Sequence, residues 1–151
     1  MEESVARRLG DLNRDFYQRF ARSFADTRRE PQPGFYQLES YLPPRCERLL
    51  DVGCGEGRLG RFLIERGRIE RYDGLDADET LLEIAGQHID GRFWRRDLLE
   101  PGALDGLGRY DGMACLAVLQ HIPGRQNRRR LLAEMGRHLV VGGRLVISTW
   151  Q

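Results

Sequence analysis

Apolar residues recur every three or four positions in the first 26 residues, and this spacing is typical of an amphipathic helix. The recurring positions are Val5, Leu9, Leu12, Phe16, Phe20 and Phe24. Gly10 interrupts the run, and Asn13 has a side chain that caps helices, so the pattern predicts one helix or two. A proline-containing turn and a short helix over 35–42 follow, ended by Pro43 and Pro44. Residues 1–45 therefore form a predicted helical extension.

From residue 46 onward, short apolar runs alternate with amphipathic segments. The runs predict strands over 48–52, 71–76, 91–97, 110–119 and 144–150. The segments between them predict helices over 58–67, 79–89 and 125–139, and a turn over 141–143. Strands that alternate with helices form a mainly parallel sheet with helices on both faces. We therefore predict one Rossmann-like open α/β domain of about five strands over 46–151.

Composition narrows the class of protein but not its partners. The chain has 151 residues, a net charge of +1, 31% charged and 40% hydrophobic residues, values ordinary for one globular domain. Cys46, Cys54 and Cys115 are an odd number without CxxC spacing, so they predict neither a disulfide framework nor a metal site. No apolar run approaches the roughly 18 residues that span a bilayer, and no leader is recognisable. We expect a cytoplasmic protein without a membrane segment.

The stretch LLDVGCGEGRLG, residues 49–60, is the strongest local motif. Its last three glycines fit GxGxxG, and Asp76 follows about 20 residues later, as in dinucleotide-dependent oxidoreductases. Asp51, however, lies at the end of the predicted strand, where a carboxylate repels a pyrophosphate and attracts a cation. S-adenosylmethionine carries a sulfonium and an ammonium and no phosphate. The loop therefore favours this cofactor, with a dinucleotide as the alternative.

Five segments in order, LLDVGCGEGRLG, YDGLDADETLLEIA, RRDLL, YDGMACLAVLQHIP and VGGRLVISTW, resemble the motifs of class I S-adenosylmethionine-dependent methyltransferases. The resemblance covers about residues 48–150. It implies that the glycine loop lets the backbone approach the cofactor, and that Asp51 orders this loop and the ammonium side of the methionine. Asp76 would accept the ribose hydroxyls, Asp97 with the Leu98 amide would hold the adenine amino edge, and Leu116 and Ala117 would contact the methionyl part. The full set of cofactor residues that it implies is Asp51, Gly53, Cys54, Gly55, Gly57, Asp76, Ala77, Asp97, Leu98, Leu116 and Ala117.

The segments FYQRFARSFADTRREPQPGF and LAVLQHIP, with the arginine-rich helix after them, resemble the family that methylates carboxymethyl-uridine at the tRNA wobble position. This resemblance implies that Arg28, His121 and Arg128 contact the methyl acceptor, and that residues 1–45 act as a lid. His121 either takes a proton, with an ordinary pKa near 6.5, or packs at a strand end. The acceptor atom is oxygen or nitrogen, on a tRNA or a small molecule. A non-catalytic cofactor-binding descendant is a further alternative.

The resemblance also implies seven strands, of which five are recognisable here. The fifth strand, rich in valine and isoleucine, would then be an edge that invites pairing. We expect this edge to be covered by a second copy of the chain, as a homodimer, or by the N-terminal segment.

Overall fold

The computed structural model describes residues 3–26 and 31–149. The helices are α1 (Glu3–Asp26), α2 (Pro33–Tyr41), α3 (Arg58–Glu65), α4 (Glu79–His88) and α5 (Arg125–Arg137), with a 3-10 turn at Leu119–His121. The strands are β1 (Cys46–Val52), β2 (Ile69–Asp76), β3 (Gly91–Arg95), β4 (Tyr110–Leu116) and β5 (Leu139–Ser148). The helices in this part of the chain are each too short or too polar to span a bilayer.

The five strands form one sheet in the order β3-β2-β1-β4-β5, and every neighbouring pair is parallel. The predicted open α/β fold is confirmed. Chain direction across the sheet reverses at β1, because the chain moves outward to β3 and then returns to β4 on the other side. In such sheets ligands bind beyond the carboxyl ends of the strands at this reversal. The β1 and β4 ends therefore mark the place to look for a site.

Apolar side chains on the two faces of the sheet form two cores. One contains Leu49 and Tyr72 of the sheet with Leu63 of α3, all of them fully or almost fully buried. The other contains Met113 of β4 with Met135 of α5. Helices therefore cover both faces, as parallel strands buried on both sides require.

A buried carboxylate ties the strands together in mid-sheet. Asp73 on β2 accepts hydrogen bonds from Arg48 on β1 (3.1 Å), Arg92 on β3 (2.8 Å) and Tyr110 on β4 (2.8 Å). Burial alone would raise the pKa of Asp73, but the three donors outweigh it and lower that pKa. One carboxylate on β2 thus links donors on β1, β3 and β4 from inside the sheet.

Several predicted boundaries were wrong at strand and helix ends. The third strand ends at Arg95, so Asp97 lies in the following loop, and the fourth ends at Leu116 before the 3-10 turn. The predicted turn over 141–143 lies inside β5 as a bulge, where four residues of β5 face one residue of β4. Positive φ at Gly142 allows this bulge without ending the strand.

Helix α1 runs unbroken through Gly10, so Asn13 is not a helix cap. Gly10 is needed for packing, because a Cβ there would collide with the side chain of Leu99. The Asn13 side chain instead donates a 3.4 Å hydrogen bond to the carbonyl of His121. Both residues therefore join α1 to loops at the carboxyl end of the sheet.

Candidate functional site

A cavity of about 370 Å³ lies at the carboxyl ends of β1, β2 and β4, under α1 and the start of α2. Of the cofactor residues implied by the resemblance, all but one line this cavity. They are Asp51, Gly53, Cys54, Gly55, Asp76, Ala77, Asp97, Leu98, Leu116 and Ala117. Residues from four separate segments of the chain thus meet at the place that the topology indicates.

The glycine loop is anchored to the end of β2. The amides of Gly53 and Cys54 donate to the carbonyl of Leu75 at 2.8 and 3.0 Å, and the amide of Gly55 donates to Asp76 Oδ2 at 2.9 Å. Gly55 has a φ of 54°, and a Cβ on it would meet no atom within 4 Å. The backbone at Gly55 is therefore held rigidly while the space above it is open to a ligand.

Gly57 is the one predicted cofactor residue that does not line the cavity. It precedes α3 with a φ of 76°, and a Cβ there would lie 2.5 Å from Ile89 Cδ1 and 3.2 Å from Ala85 Cβ. The residue therefore allows the start of α3 to pack closely on α4. A glycine at this position is therefore required by the packing next to the cavity rather than by contact with a ligand.

Asp51 is buried at the floor of the cavity, with 4% of its surface exposed. Burial raises its pKa to about 7, against the lowering effect of a 2.8 Å hydrogen bond from the hydroxyl of Tyr72. The negative charges of Asp76 and Glu56 raise it further. Near neutral pH this carboxyl therefore lies close to half ionised, and a bound cation would complete its ionisation.

The loop-ordering contact that we expected from Asp51 is made by Asp76. Besides Gly55, Asp76 accepts from the amide of Asp78 at 3.0 Å, and burial raises its pKa. Asp78 caps α4 by accepting from the amide of Leu81 at 3.1 Å. Its other oxygen, Oδ2, is buried and has no hydrogen-bond partner among the described residues. This wall of the cavity therefore offers acceptor atoms to a donor.

Asp97 and Leu98 reach the cavity from the loop after β3. The loop starts with a 2.8 Å hydrogen bond from the Arg96 amide to the carbonyl of Asp76, and Asp97 Oδ1 accepts from the Leu99 amide at 2.9 Å. Leu98 is buried and Asp97 half-buried. The two residues therefore stand in a folded turn beside the end of β2.

Ala117 has a φ of 55°, and it is the one non-glycine residue with positive φ in the described ranges. Its amide donates to Ser148 Oγ at 3.0 Å and to the Ser148 carbonyl at 3.2 Å. The amide of Ala117 is thus hydrogen-bonded to β5, while the residue itself lines the cavity. A left-handed alanine is strained, and such residues cluster at functional sites.

His121 lines the cavity together with Gly10, Asn13 and Ile122. Burial lowers the pKa of His121 below its ordinary value, so the ring is neutral at pH 7. A neutral imidazole can accept a proton, which is what a general base requires.

Of the other two predicted acceptor residues, Arg28 lies outside the described residues. Arg128 is absent from the cavity lining and donates a 2.8 Å hydrogen bond to the carbonyl of Ile122, which steadies the segment after His121. Within residues 3–26 and 31–149 no group of three histidine, cysteine or acidic side chains is arranged to hold a metal ion.

Sequence reasoning missed several lining residues, chiefly Phe35, Glu56, Arg58, Leu99, Val118 and Ser148. Phe35 and Leu99 are brought in by α2 and a loop, and nothing in their local pattern distinguishes them from core residues. Glu56 and Arg58 flank the glycine motif, so their positions were a usable signal. The two side chains pair with each other at 3.8 Å.

Negative charge predominates in the lining. Among the described lining residues, the carboxyls of Asp51, Glu56, Asp76, Asp78 and Asp97 face one guanidinium, that of Arg58. Such a lining disfavours a pyrophosphate and favours a cation.

A family model described as a methyltransferase domain matches residues 50–145. The match begins at the second residue of the glycine motif and ends within β5. The chain belongs to the methyltransferase domain family. This membership confirms the general resemblance and favours it over the dinucleotide alternative. The tRNA-specific resemblance is finer than the match and is not decided by it.

Known methyltransferases resemble this chain in sequence and fold. A ubiquinone biosynthesis O-methyltransferase of Dechloromonas aromatica is 32% identical over 110 residues, covering 68% of this chain and 44% of its own. The SAM-bound structure of CalS10, an amino pentose methyltransferase from Micromonospora echinaspora, has a TM-score of 0.63 at 25% identity, covering 89% of this chain and 51% of its own. The plantazolicin methyltransferase BpumL, in complex with SAH, has a TM-score of 0.73 at 20% identity, covering 95% and 57%.

The chain spans about half the length of the curated relatives that it matches. The segment that the family model matches contains most of the sheet and most of the residues that line the cavity. The structure of CalS10, at 25% identity, has S-adenosylmethionine bound, which supports the cofactor class inferred from the glycine loop.

Proposed function

We propose that the cavity binds S-adenosylmethionine and that the protein transfers the methyl group to an oxygen atom of a small, largely apolar acceptor. The observation that carries this proposal is the acidic lining around the glycine loop, with Asp51 buried beneath it and Asp76 beside it. The family membership and the named O-methyltransferase relative support the reaction class.

The residues present fit this cofactor. Open space above Gly55 admits a ligand against the backbone, and Asp51 lies beneath the loop where an ammonium group would be held. Asp76 has lone pairs left for two hydroxyl groups after accepting two amides, since a carboxylate accepts about four hydrogen bonds. Asp78 Oδ2 is a buried acceptor that lacks a donor until a ligand supplies one.

When bound, the cofactor supplies an electrophilic methyl group on a positively charged sulfur. The chain's part is to hold the acceptor in line with that methyl group and to keep water away, and positioning of this kind supplies much of the acceleration in such transfers. Helix α1 acts as a lid, because Gly10 and Asn13 close the cavity from above. His121, neutral through burial, takes the proton from an acceptor hydroxyl as the new bond to oxygen forms.

Apolar side chains also line the cavity, among them those of Phe35, Leu99 and Ile122. An acceptor that buries a ring or a hydrocarbon part against these residues is favoured by roughly 25 cal/mol for each Å² of apolar surface removed from water.

The tRNA acceptor implied by the finer resemblance is the second candidate. Arg125 is exposed at the amino end of α5, on the same helix as Arg128, and would supply a phosphate contact. A carboxylate acceptor on the uridine would be ionised already at neutral pH and would need no base.

Transfer of a labelled methyl group to separate pools of phenolic metabolites, carboxylic acids and bulk tRNA tests the acceptor. The proposal expects label in small hydroxyl compounds, and a rate for those compounds that falls at least tenfold in His121→Gln, as loss of a general base does. His88→Gln, an exposed histidine on α4, is the matched control and should leave the rate unchanged. Label confined to tRNA would reject the small-molecule acceptor in favour of the second candidate.

A further inference from the structure

The loop that carries Asp97 and Leu98 is held from below by a side chain of α5. Arg130 Nη2 donates to the carbonyls of Leu98 and Leu99, at 3.1 and 2.7 Å. Arg130 is partly buried, with 26% of its side chain exposed. One guanidinium thus fixes two consecutive carbonyls directly beside the cavity.

Glu134, one turn further along α5, holds the far end of the same loop. Its Oε1 accepts from the Gly102 amide at 3.1 Å and lies 3.6 Å from Arg130 Nε. Glu134 is 4% exposed, and its other oxygen, Oε2, is buried without a hydrogen-bond partner among the described residues. Arg130 and Glu134 together therefore fix the loop at residues 98–99 and at residue 102.

The loop has further contacts on its other sides. Asp97 Oδ1 accepts from the Leu99 amide, and Gly10 of α1 packs against the Leu99 side chain. Arg130 is bonded to the backbone carbonyl of Leu98 itself and to that of Leu99, and the position of Leu98 depends on these two contacts. Buried ion pairs add little net stability, because desolvation offsets their attraction. The Arg130–Glu134 pair therefore matters for the position of the loop rather than for the stability of the fold.

Resting on the proposed function, we infer that Arg130 and Glu134 are positioning residues that make the cavity selective for the 6-amino edge of adenine. The adenine 6-amino group donates hydrogen bonds and its N1 accepts one. A 6-oxo purine reverses both, because O6 accepts and N1 carries a hydrogen. A turn fixed at Asp97 and Leu98, with an acidic acceptor beside a backbone amide, matches the first pattern and opposes the second. A loop that lacks the contacts of Arg130 and Glu134 would no longer distinguish a 6-amino purine from a 6-oxo purine.

The test compares S-adenosylhomocysteine with its 6-oxo analogue, S-inosylhomocysteine, by titration calorimetry. Arg130→Lys keeps the charge but replaces the planar fork by a single ammonium group that cannot reproduce all its contacts. The double variant Arg130→Gln with Glu134→Gln removes both charges together and leaves neither buried alone. Arg129→Lys, exposed on the same helix, is the matched control.

We expect wild type and Arg129→Lys to prefer the adenosyl compound by at least tenfold, the scale on which sites that hydrogen-bond a ligand reject a mismatched analogue. The preference should fall to within threefold in Arg130→Lys and in the double variant, through weaker binding of the adenosyl compound. An unchanged preference in the folded variants overturns the inference, whatever their melting temperatures, as does failure of both variants to fold. Wild type that binds both compounds equally overturns it too, whereas wild type that binds neither contradicts the proposed function itself.

Discussion

The hydroxyl of Tyr72 on β2 donates a 2.8 Å hydrogen bond to the carboxyl of Asp51 at the end of β1, and both side chains are buried. Burial still raises the pKa of Asp51 to about 7. A carboxyl kept in this environment is costly for the unliganded protein, and the cost is removed when a cation binds above it. The stability and the ligand affinity of this protein are therefore coupled through one residue.

Asp51→Asn should stabilise the unliganded protein at alkaline pH. Because the folded pKa of Asp51 is above its ordinary value of 3.8, the folded state holds the proton more tightly than the unfolded state. Its contribution to stability is therefore full below about pH 4 and is lost as the pH rises through 7. Urea unfolding at pH 8 should show the variant more stable by on the order of 4 kcal/mol, since the pKa of Asp51 is raised from 3.8 to about 7, with little difference at pH 4.

Asp73→Asn is the matched control for that measurement, since the donors around Asp73 lower its pKa and its charge stabilises the fold. This variant should lose stability at pH 8. Equal losses in the Asp51 and Asp73 variants would show that Asp51 is an ordinary ionised carboxylate.

Affinity for S-adenosylhomocysteine should rise about tenfold between pH 6 and pH 8, because the ligand's ammonium group binds the ionised form of Asp51 and that fraction grows over this range. Calorimetry in two buffers of different ionisation enthalpy should detect proton release on binding at pH 7. In Asp51→Asn the affinity should be weaker and nearly independent of pH. A wild-type affinity that falls with rising pH would contradict this electrostatic account.

Gly57→Ala should destabilise the protein by about 2–4 kcal/mol, because the new methyl group meets Ile89 and Ala85 in addition to the strain of a positive φ. Gly67→Ala is the matched control, since Gly67 also has a positive φ, of 64°, but open space around a Cβ. It should lose only about 1 kcal/mol. Chemical denaturation compares the two, and equal losses would show that the packing of α3 on α4 does not need a glycine.

Ala117→Gly should stabilise the protein by about 0.5–1 kcal/mol, although replacing alanine by glycine usually destabilises. The reason is that the backbone of Ala117 is left-handed, and glycine adopts that conformation without strain. Ala77→Gly, in the neighbouring turn without a positive φ, should destabilise. Thermal unfolding of both variants checks the opposite signs, and a destabilised Ala117→Gly would mean that the strain is absent.

Much of the fold could be predicted from the sequence because its signals are local. The periodicity of Leu59, Phe62 and Leu63 indicated α3, and the apolar runs indicated the parallel strands in their correct chain order. Strand ends were harder, since β3 stops at Arg95 where the chain turns into the loop of Asp97, and apolar residues continue past the end of β4. The bulge in β5 depends on pairing with β4, which no local pattern shows.

The cavity-lining residues that the sequence indicated most directly lie at strand ends, as Asp51 and Asp76 do. What could not be predicted is which group each residue bonds. The Gly55 amide is held by Asp76, Asn13 reaches the His121 carbonyl across 108 positions of sequence, and Arg128 bonds to backbone rather than lining the cavity. Such contacts arise from tertiary packing. The homodimer through β5 stays a prediction, and an oligomeric state measured in solution would test it.

The most direct test of the central claim is calorimetric titration of S-adenosylhomocysteine and, separately, NADH into the wild type and Asp76→Ala. The account predicts micromolar binding of S-adenosylhomocysteine by the wild type, at least about thirtyfold weaker binding by the variant because charge-assisted hydrogen bonds to the ribose are lost, and no heat with NADH. Circular dichroism should show that the variant remains folded. Binding of NADH in this cavity, or equal affinity of both proteins for S-adenosylhomocysteine, would contradict the account.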